Sequence, residues 1–190
     1  MVSPGMGPCD GDLTRDALPA HDVDAAKQVL GTARPTITLF YPTTIGPTMQ
    51  AGAELLQKVW NEQGVDVTLK GGTDAEMGQL VGGQLRWDVA IVPLNVALPS
   101  QAVPFVSGPP APGGTNFAAI DNPDYTAKVG EAAKIAGDEG CGAWAEAEKA
   151  LYERVDVVPF ANANRPTFGK GAEFELTQGS VAPSSIRMVG

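Results

Sequence analysis

"ITLFYPTTIGPTMQAGAELLQKVWNEQGVDVTLKGG", Ile37 to Gly72, decides the class of this fold. It opens with β-branched and aromatic residues, entered from Pro35 and closed at Pro42, which read as a buried strand. A helix follows: Pro47 suits a first turn, Met49, Ala53, Leu56 and Trp60 recur at helical spacing, and Gly64 suits the C-terminal cap. Val65 to Lys70 is a second strand. A weaker helix over Asp74 to Val81, closed by Gly82-Gly83, then leads to a third strand in "WDVAIV", Trp87 to Val92. Strands and helices alternating at this spacing are parallel neighbours joined by right-handed crossovers. The expected class is α/β, an open, mostly parallel sheet flanked by helices.

Working outward, "DVDAAKQVL" from Asp22 predicts a short helix with an acidic cap, Val23, Ala26, Val29 and Leu30 on one face, and a stop at Gly31. Beyond the third strand, Pro99 to Gly114 is rich in Pro and Gly and reads as a long irregular connection, which a compact domain seldom keeps unless it lines a site. "NPDYTAKVGEAAKIAG" and "GAWAEAEKALYERV" read as two helices, the first initiated by Asp121, Asn122 and Asp124 and the second with Trp144, Ala147 and Leu151 on one side. "VDVVPFANA" reads as a fourth strand, and the chain from Arg165 as a short strand with polar irregular segments. In open α/β sheets ligands bind outside the carboxyl ends of the strands. Those ends are Tyr41-Pro42-Thr43-Thr44, Lys70-Gly71-Gly72 and Pro93-Leu94-Asn95.

Composition excludes several functions. With 190 residues, 43% of them hydrophobic and 18% charged, the chain has ordinary globular usage. A net charge of −9 argues against a nucleic-acid surface, which concentrates Lys and Arg. The N-terminus shows no basic and apolar signal pattern, and no stretch approaches the roughly 20 apolar residues of a membrane span. The single histidine, His21, is next to a helix cap, so a nucleophile and base pair finds no second His to build on. "GKGAEF" from Gly169 lacks the spacing and following helix of a phosphate loop, and "DVD" and "DNPD" lack the alternation of a calcium loop. Trp60, Trp87 and Trp144 fall at positions facing a presumed core. Cys9 and Cys141 are too far apart for a CxxC or zinc motif, leaving two free thiols or, in an oxidising compartment, a disulfide.

The order of segments carries more. "HDVDAAKQVL", the Ile37–Gly72 stretch, "LRWDVAIVPLN", "NFAAIDNPDYTAKVGEAA" and "WAEAEKALYERVDVVPFANANRPTFGKG" together resemble the C-terminal portion of extracytoplasmic solute-binding proteins of family 5, the dipeptide and oligopeptide receptors of ABC importers, in an actinobacterial style. The resemblance runs from about Leu18 onward. It implies the second lobe of a two-lobed, type II periplasmic-binding-protein fold: residues 1–21 an irregular leading segment, 22–163 the lobe, and 164–190 terminal strands that return to a first lobe. On this reading the chain is a C-terminal piece of a longer receptor, with no catalysis, metal or cofactor. Its partners are a peptide or other small solute and the membrane permease subunits, and the full-length parent is extracytoplasmic. An exported parent further implies that Cys9 and Cys141 can pair. The ligand contacts implied jointly with the strand-end rule are Tyr41, Thr43, Leu94, Asn95, Asn116 and Phe117. Typical peptide receptors place an Asp after the third strand to pair with the peptide α-ammonium group; here "PLNVALPS" has no acid, which favours a less basic solute or a modified peptide. A rival from another class is a free-standing protein that sequesters a ligand or partner without transport.

Overall fold

The computed structural model describes residues 1–2, 7, 9, 14–162, 166–177 and 180–189. The chain divides into two compact units, one comprising Ala20–Pro93 and Gly108–Ile120, the other Met1–Pro19, Leu94–Ser107 and Asp121–Gly190. The 163/164 boundary expected from the sequence lies outside the described residues.

The first of these units holds the parallel sheet. Strands β1 (Thr36–Pro42), β2 (Asp66–Gly72) and β3 (Val89–Ala90) are arranged in the order β2-β1-β3. All pairs are parallel, with Thr36 opposite Asp66, Pro42 opposite Gly72 and Leu39 opposite Val89. β1 is central, so its apolar run is buried on both faces, with Leu39 and Phe40 fully enclosed. The helix α2 (Pro47–Glu62) covers one face: Met49, Leu56 and Trp60 join Ala53 against Leu39, Tyr41 and Val67, the stripe expected from its spacing. α2 also satisfies part of the free edge of β2, since Gln57 Nε2 donates to the Val67 carbonyl at 2.7 Å and the Val67 amide donates to Asn61 Oδ1 at 3.0 Å. The weaker helix forms as α3 (Asp74–Val81).

Two expectations here need correction. The third strand is a regular ladder only at Val89–Ala90, because Pro93 ends it, although its pairing is prolonged by Asp88, whose amide donates to the Thr38 carbonyl and whose carboxylate accepts the Thr38 amide at 2.7 Å. The first helix, α1 (Val23–Leu30), is capped by Asp22 as expected, yet none of its residues is buried and Val29 is 88% exposed. Capping and propensity suffice to form it without a core face.

The other unit is helical. α4 (Pro99–Val106) stands where the long irregular connection was expected. Proline at its first position forfeits only an amide that has no helical partner, and Gln101 Oε1 accepts from the amides of Ala97 and Leu98, closing the N-terminus. Ala102 and Val106, one turn apart, are buried, while Pro104, having no amide to donate, holds the helix to two turns. α5 (Pro123–Ala132) and α6 (Cys141–Glu153) pack together through Tyr125, Ala132, Ala147, Ala150 and Leu151. Asn122 serves both: its Oδ1 caps α5 by accepting the Tyr125 amide, and its Nδ2 donates to the Ala150 carbonyl and to Asp156. Burial, and then the charge of Glu148, push the Tyr125 phenol above its ordinary range. Cys9 and Cys141 form a disulfide that fastens the leading segment to the start of α6.

The fourth strand does not form among residues 155–162. Val155 has a φ of +58° and turns the chain as α6 ends, Pro159 can give no ladder bond, and Val158 and Phe160 stay more than half exposed. Beyond it the tail makes two short antiparallel pairs, β4 (Ala172–Glu173) with β7 (Arg187–Met188) and β5 (Leu176–Thr177) with β6 (Ser180–Val181). Phe168 and Met188 are 88% and 80% exposed there.

Candidate ligand-binding site

The carboxyl ends of β1 and β2 form the best-built surface of the sheet unit. The paired glycines that end β2 are required by the rings that end β1. A Cβ at position 72 would lie 2.3 Å from Phe40 Cε2 and Cζ; one at position 71 would lie 2.8 Å from Thr43 Cγ2 and 3.0 Å from the Tyr41 Cζ and hydroxyl. With no side chain at 71, the Tyr41 ring lies across the strand end. Thr43 continues the ladder beyond the strand: its amide and its hydroxyl both donate to the Gly72 carbonyl at 2.9 Å. Thr44 then donates to Asp74 Oδ1 at 2.6 Å, so the two crossover turns are tied side chain to side chain.

Both helices that follow these strands begin here, which points their positive ends at this surface. α2 starts from Gly46, whose φ of +109° suits glycine, and Pro47. α3 starts from a capping box: the Glu76 carboxylate accepts the Thr73 amide at 2.9 Å and its hydroxyl at 3.1 Å, and the Glu76 amide donates back to Thr73 Oγ1 at 3.4 Å. The Thr73 amide, and then its hydroxyl, hold the Glu76 carboxyl below its usual range. Thr43, Thr44, Gly71, Thr73 and Asp74 are exposed. This surface offers hydroxyls, the carboxylates of Asp74 and Glu76 and a phenol edge, the equipment of polar recognition.

The six residues expected as ligand contacts are distributed unequally. Tyr41 and Thr43 meet at this strand end, although Tyr41 is only 8% exposed and contributes chiefly to the core. Leu94 and Asn95 belong to the helical unit, where both are exposed on the chain leading to buried Val96 and Ala97. Asn116 and Phe117 lie elsewhere in the sheet unit. Asn116 is 1% exposed, and its amide group is committed to its own loop: Nδ2 donates to the carbonyls of Gly108 and Ile120, and Oδ1 accepts the Ile120 amide. The Phe117 ring sits 6.3 Å from that of Trp87, which precedes β3 and is level with the amino end of β1. The segment 108–120 is therefore held by its own hydrogen bonds and an aromatic contact at the end of the sheet opposite Tyr41 and Thr43. His21 is exposed.

Of the other residues at this surface, the sequence marks Thr44, Gly71 and Gly72 only as strand ends, and it does not single out Thr73, Asp74 or Glu76. The Thr73-x-x-Glu76 spacing carried a readable capping signal; the steric need for the two glycines carried none, because it depends on rings of a neighbouring strand.

No family model and no curated protein matches this chain. Solved structures do. A substrate-binding protein from Microbacterium hydrocarbonoxydans, complexed with 4-hydroxybenzoate hydrazide, matches with a TM-score of 0.74 and 26% identity over 98% of this chain and 40% of its own. A dipeptide-binding protein from Pseudoalteromonas sp. SM9913, in complex with Met-Leu, matches at 0.73 and 17% identity over 97% of this chain and 39% of its own. MoaA of A. tumefacien R10, a binding protein in complex with mannopinic acid, matches at 0.58 with 18% identity over 82% of this chain. The chain thus spans about two fifths of the length of the first two. No helix among the described residues is long and apolar enough to cross a membrane. With its parallel α/β sheet, the chain shares the fold of part of these substrate-binding proteins.

Proposed function

We propose that the chain supplies the second, ligand-facing lobe of an extracytoplasmic receptor that captures a small solute or modified peptide and delivers it to an ABC permease. The observation that carries this reading is the match over 98% of the chain to a substrate-binding protein at 26% identity. On this reading residues 22–163 are the lobe, and the tail from 164 returns to the rest of the receptor. Thr43 and the Tyr41 edge are the candidate solute contacts of the sheet unit, where Asn116 and Phe117 hold the 108–120 loop; Leu94 and Asn95 are, separately, those of the helical unit. The absence of an acid in "PLNVALPS" leaves no partner for a peptide α-ammonium group there, and the 26%-identical neighbour holds a hydrazide.

Calorimetry with 4-hydroxybenzoate hydrazide, Met-Leu and N-acetyl-Met-Leu tests the reading. Solutes without a free α-ammonium group should bind better than the dipeptide. Asn95→Ala should weaken whichever solute binds without changing the melting temperature, since Asn95 is an exposed side chain outside any core. Because one lobe provides only part of an enclosing pocket, affinity should be well below that of the full receptor. Tight binding of Met-Leu alone, indifferent to Asn95→Ala, would overturn the proposal.

A further inference from the structure

Helix α6 carries three glutamates in different surroundings. Glu146 pairs with Lys149 and Glu153 is exposed, but Glu148 is 8% exposed, on the face that also buries Ala145, Leu151 and Tyr152. A carboxylate taken out of water needs a cation and hydrogen bonds to offset its lost hydration. The lysines of α5, of α6 and of the chain between them are engaged elsewhere, Lys128 with Asp124, Lys134 with Glu131 and Lys149 with Glu146. What meets Glu148 is the amino group of Met1, whose nitrogen donates to Glu148 Oε2 at 2.6 Å and to the Tyr152 hydroxyl at 2.8 Å. The Tyr152 hydroxyl in turn donates to the same Oε2 at 3.3 Å. Glu148 and Tyr152 are four residues apart, so the helix presents them side by side. Tyr125 of α5, 2% exposed, stands close enough that burial, and then the Glu148 charge, push its phenol up. All of these groups belong to the helical unit.

We propose that Glu148 and Tyr152 form a recognition site for a primary ammonium group, filled in this chain by the α-ammonium of Met1 and able to take a small free amine in its place. The donor and acceptor geometry selects the guest. A guanidinium seeks two carboxylate oxygens side by side in its own plane, whereas here the contacts run to one carboxylate oxygen and one phenol, which suits the compact, three-hydrogen head of a primary ammonium. A quaternary ammonium brings the charge but has no hydrogen to give. Acetylating Met1 turns its ammonium into an uncharged amide with a single hydrogen, which leaves Glu148 a buried anion without this cation. The site uses none of the residues at the strand ends of the sheet unit.

The test compares two forms of the full chain, one with a free α-amino group, its mass showing that Met1 is retained, and one acetylated at that group alone. Acetylation should lower the melting temperature of the helical unit by about 5–10 °C. In Glu148→Gln acetylation should change it little, because the charge that would lose its partner is gone. Methylammonium chloride should recover part of the loss in the acetylated chain, and tetramethylammonium chloride at the same ionic strength should not; on the free-amino chain, whose own ammonium fills the site, the two salts should act alike. The α-amino group of the parent should react with an acetylating ester several-fold more slowly than that of Glu148→Gln. A melting temperature indifferent to acetylation, an equal loss in Glu148→Gln, equal effects of the two salts on the acetylated chain, or acylation as fast in the parent as in the variant would each overturn the proposal. The acetylated chain and the two salts need no variant, so they decide the matter even where Glu148→Gln does not fold.

Discussion

Gly72→Ala isolates the steric argument at the strand end. Nothing about the backbone forbids alanine there, since Gly72 is in an ordinary strand conformation outside the positive-φ glycines. The obstacle is Phe40, fully enclosed, whose Cε2 and Cζ would lie 2.3 Å from the new methyl, at least about 1 Å short of ordinary contact. A buried ring cannot swing into solvent, so β2 must lift or the ring must leave its rotamer, at a cost of about 1–3 kcal/mol. Alanine recovers about 0.4–1 kcal/mol of that by stiffening the unfolded chain. The net destabilisation is about 1–2 kcal/mol, which lowers a urea midpoint by about 0.5–1 M for a slope near 2 kcal/mol/M. Gly78→Ala in α3 and Gly130→Ala in α5 are the controls: both are helical with nothing within 4 Å of an added Cβ, and each should gain about 0.5–1 kcal/mol. Urea titration followed by circular dichroism, with amide exchange at Leu39 and Phe40, reads both signs. A Gly72→Ala chain as stable as the parent, with β1 protection intact, would refute the claim that the Phe40 ring dictates this glycine.

Asn116→Ala should lower stability by about 2–3 kcal/mol, since it strips three hydrogen bonds from a buried loop, and should leave solute binding by the folded chain unchanged; thermal melts and calorimetry check the two halves. Glu76 titrates below its usual range, so its contribution to the α3 cap is present above the unfolded carboxylate pKa and is lost as pH falls through the depressed folded value. Thr73→Val should raise the Glu76 midpoint in an NMR titration only part of the way, because the larger influence, the Thr73 amide, remains. Replacing both cysteines by serine opens a loop of sequence separation 132 and should cost the helical unit about 2–5 kcal/mol, read as a lower melting temperature for α5 and α6 with the sheet unit spared.

The sheet was legible because its determinants are local and periodic. The apolar run of Ile37–Tyr41, the helical stripe through Met49, Ala53, Leu56 and Trp60, and the glycines that follow each helix prescribe a parallel βαβ unit before any contact is known. The same holds for the caps at Asp22 and Asn122, whose short side chains reach their own backbone. What resisted reading was decided by partners remote in sequence. "VDVVPFANA" has strand composition but, among the described residues, no neighbouring strand to receive it, and a strand without one does not persist. Pro99 to Val106 looks like connecting chain because of its two prolines, yet it becomes a helix because one proline stands at the first position and Gln101 closes the end. The carboxyl ends of the strands marked Tyr41 and Thr43 as a candidate surface from sequence alone. Only the tertiary structure showed that Phe117 meets Trp87 at the other end of the sheet, that the Asn116 amide is consumed by its own loop, and that Gly71 and Gly72 are empty because Tyr41 and Phe40 occupy their space. Periodicity specifies which face a side chain takes on its own element; which atoms fill the space opposite is a property of the packed pair, and no single segment contains it.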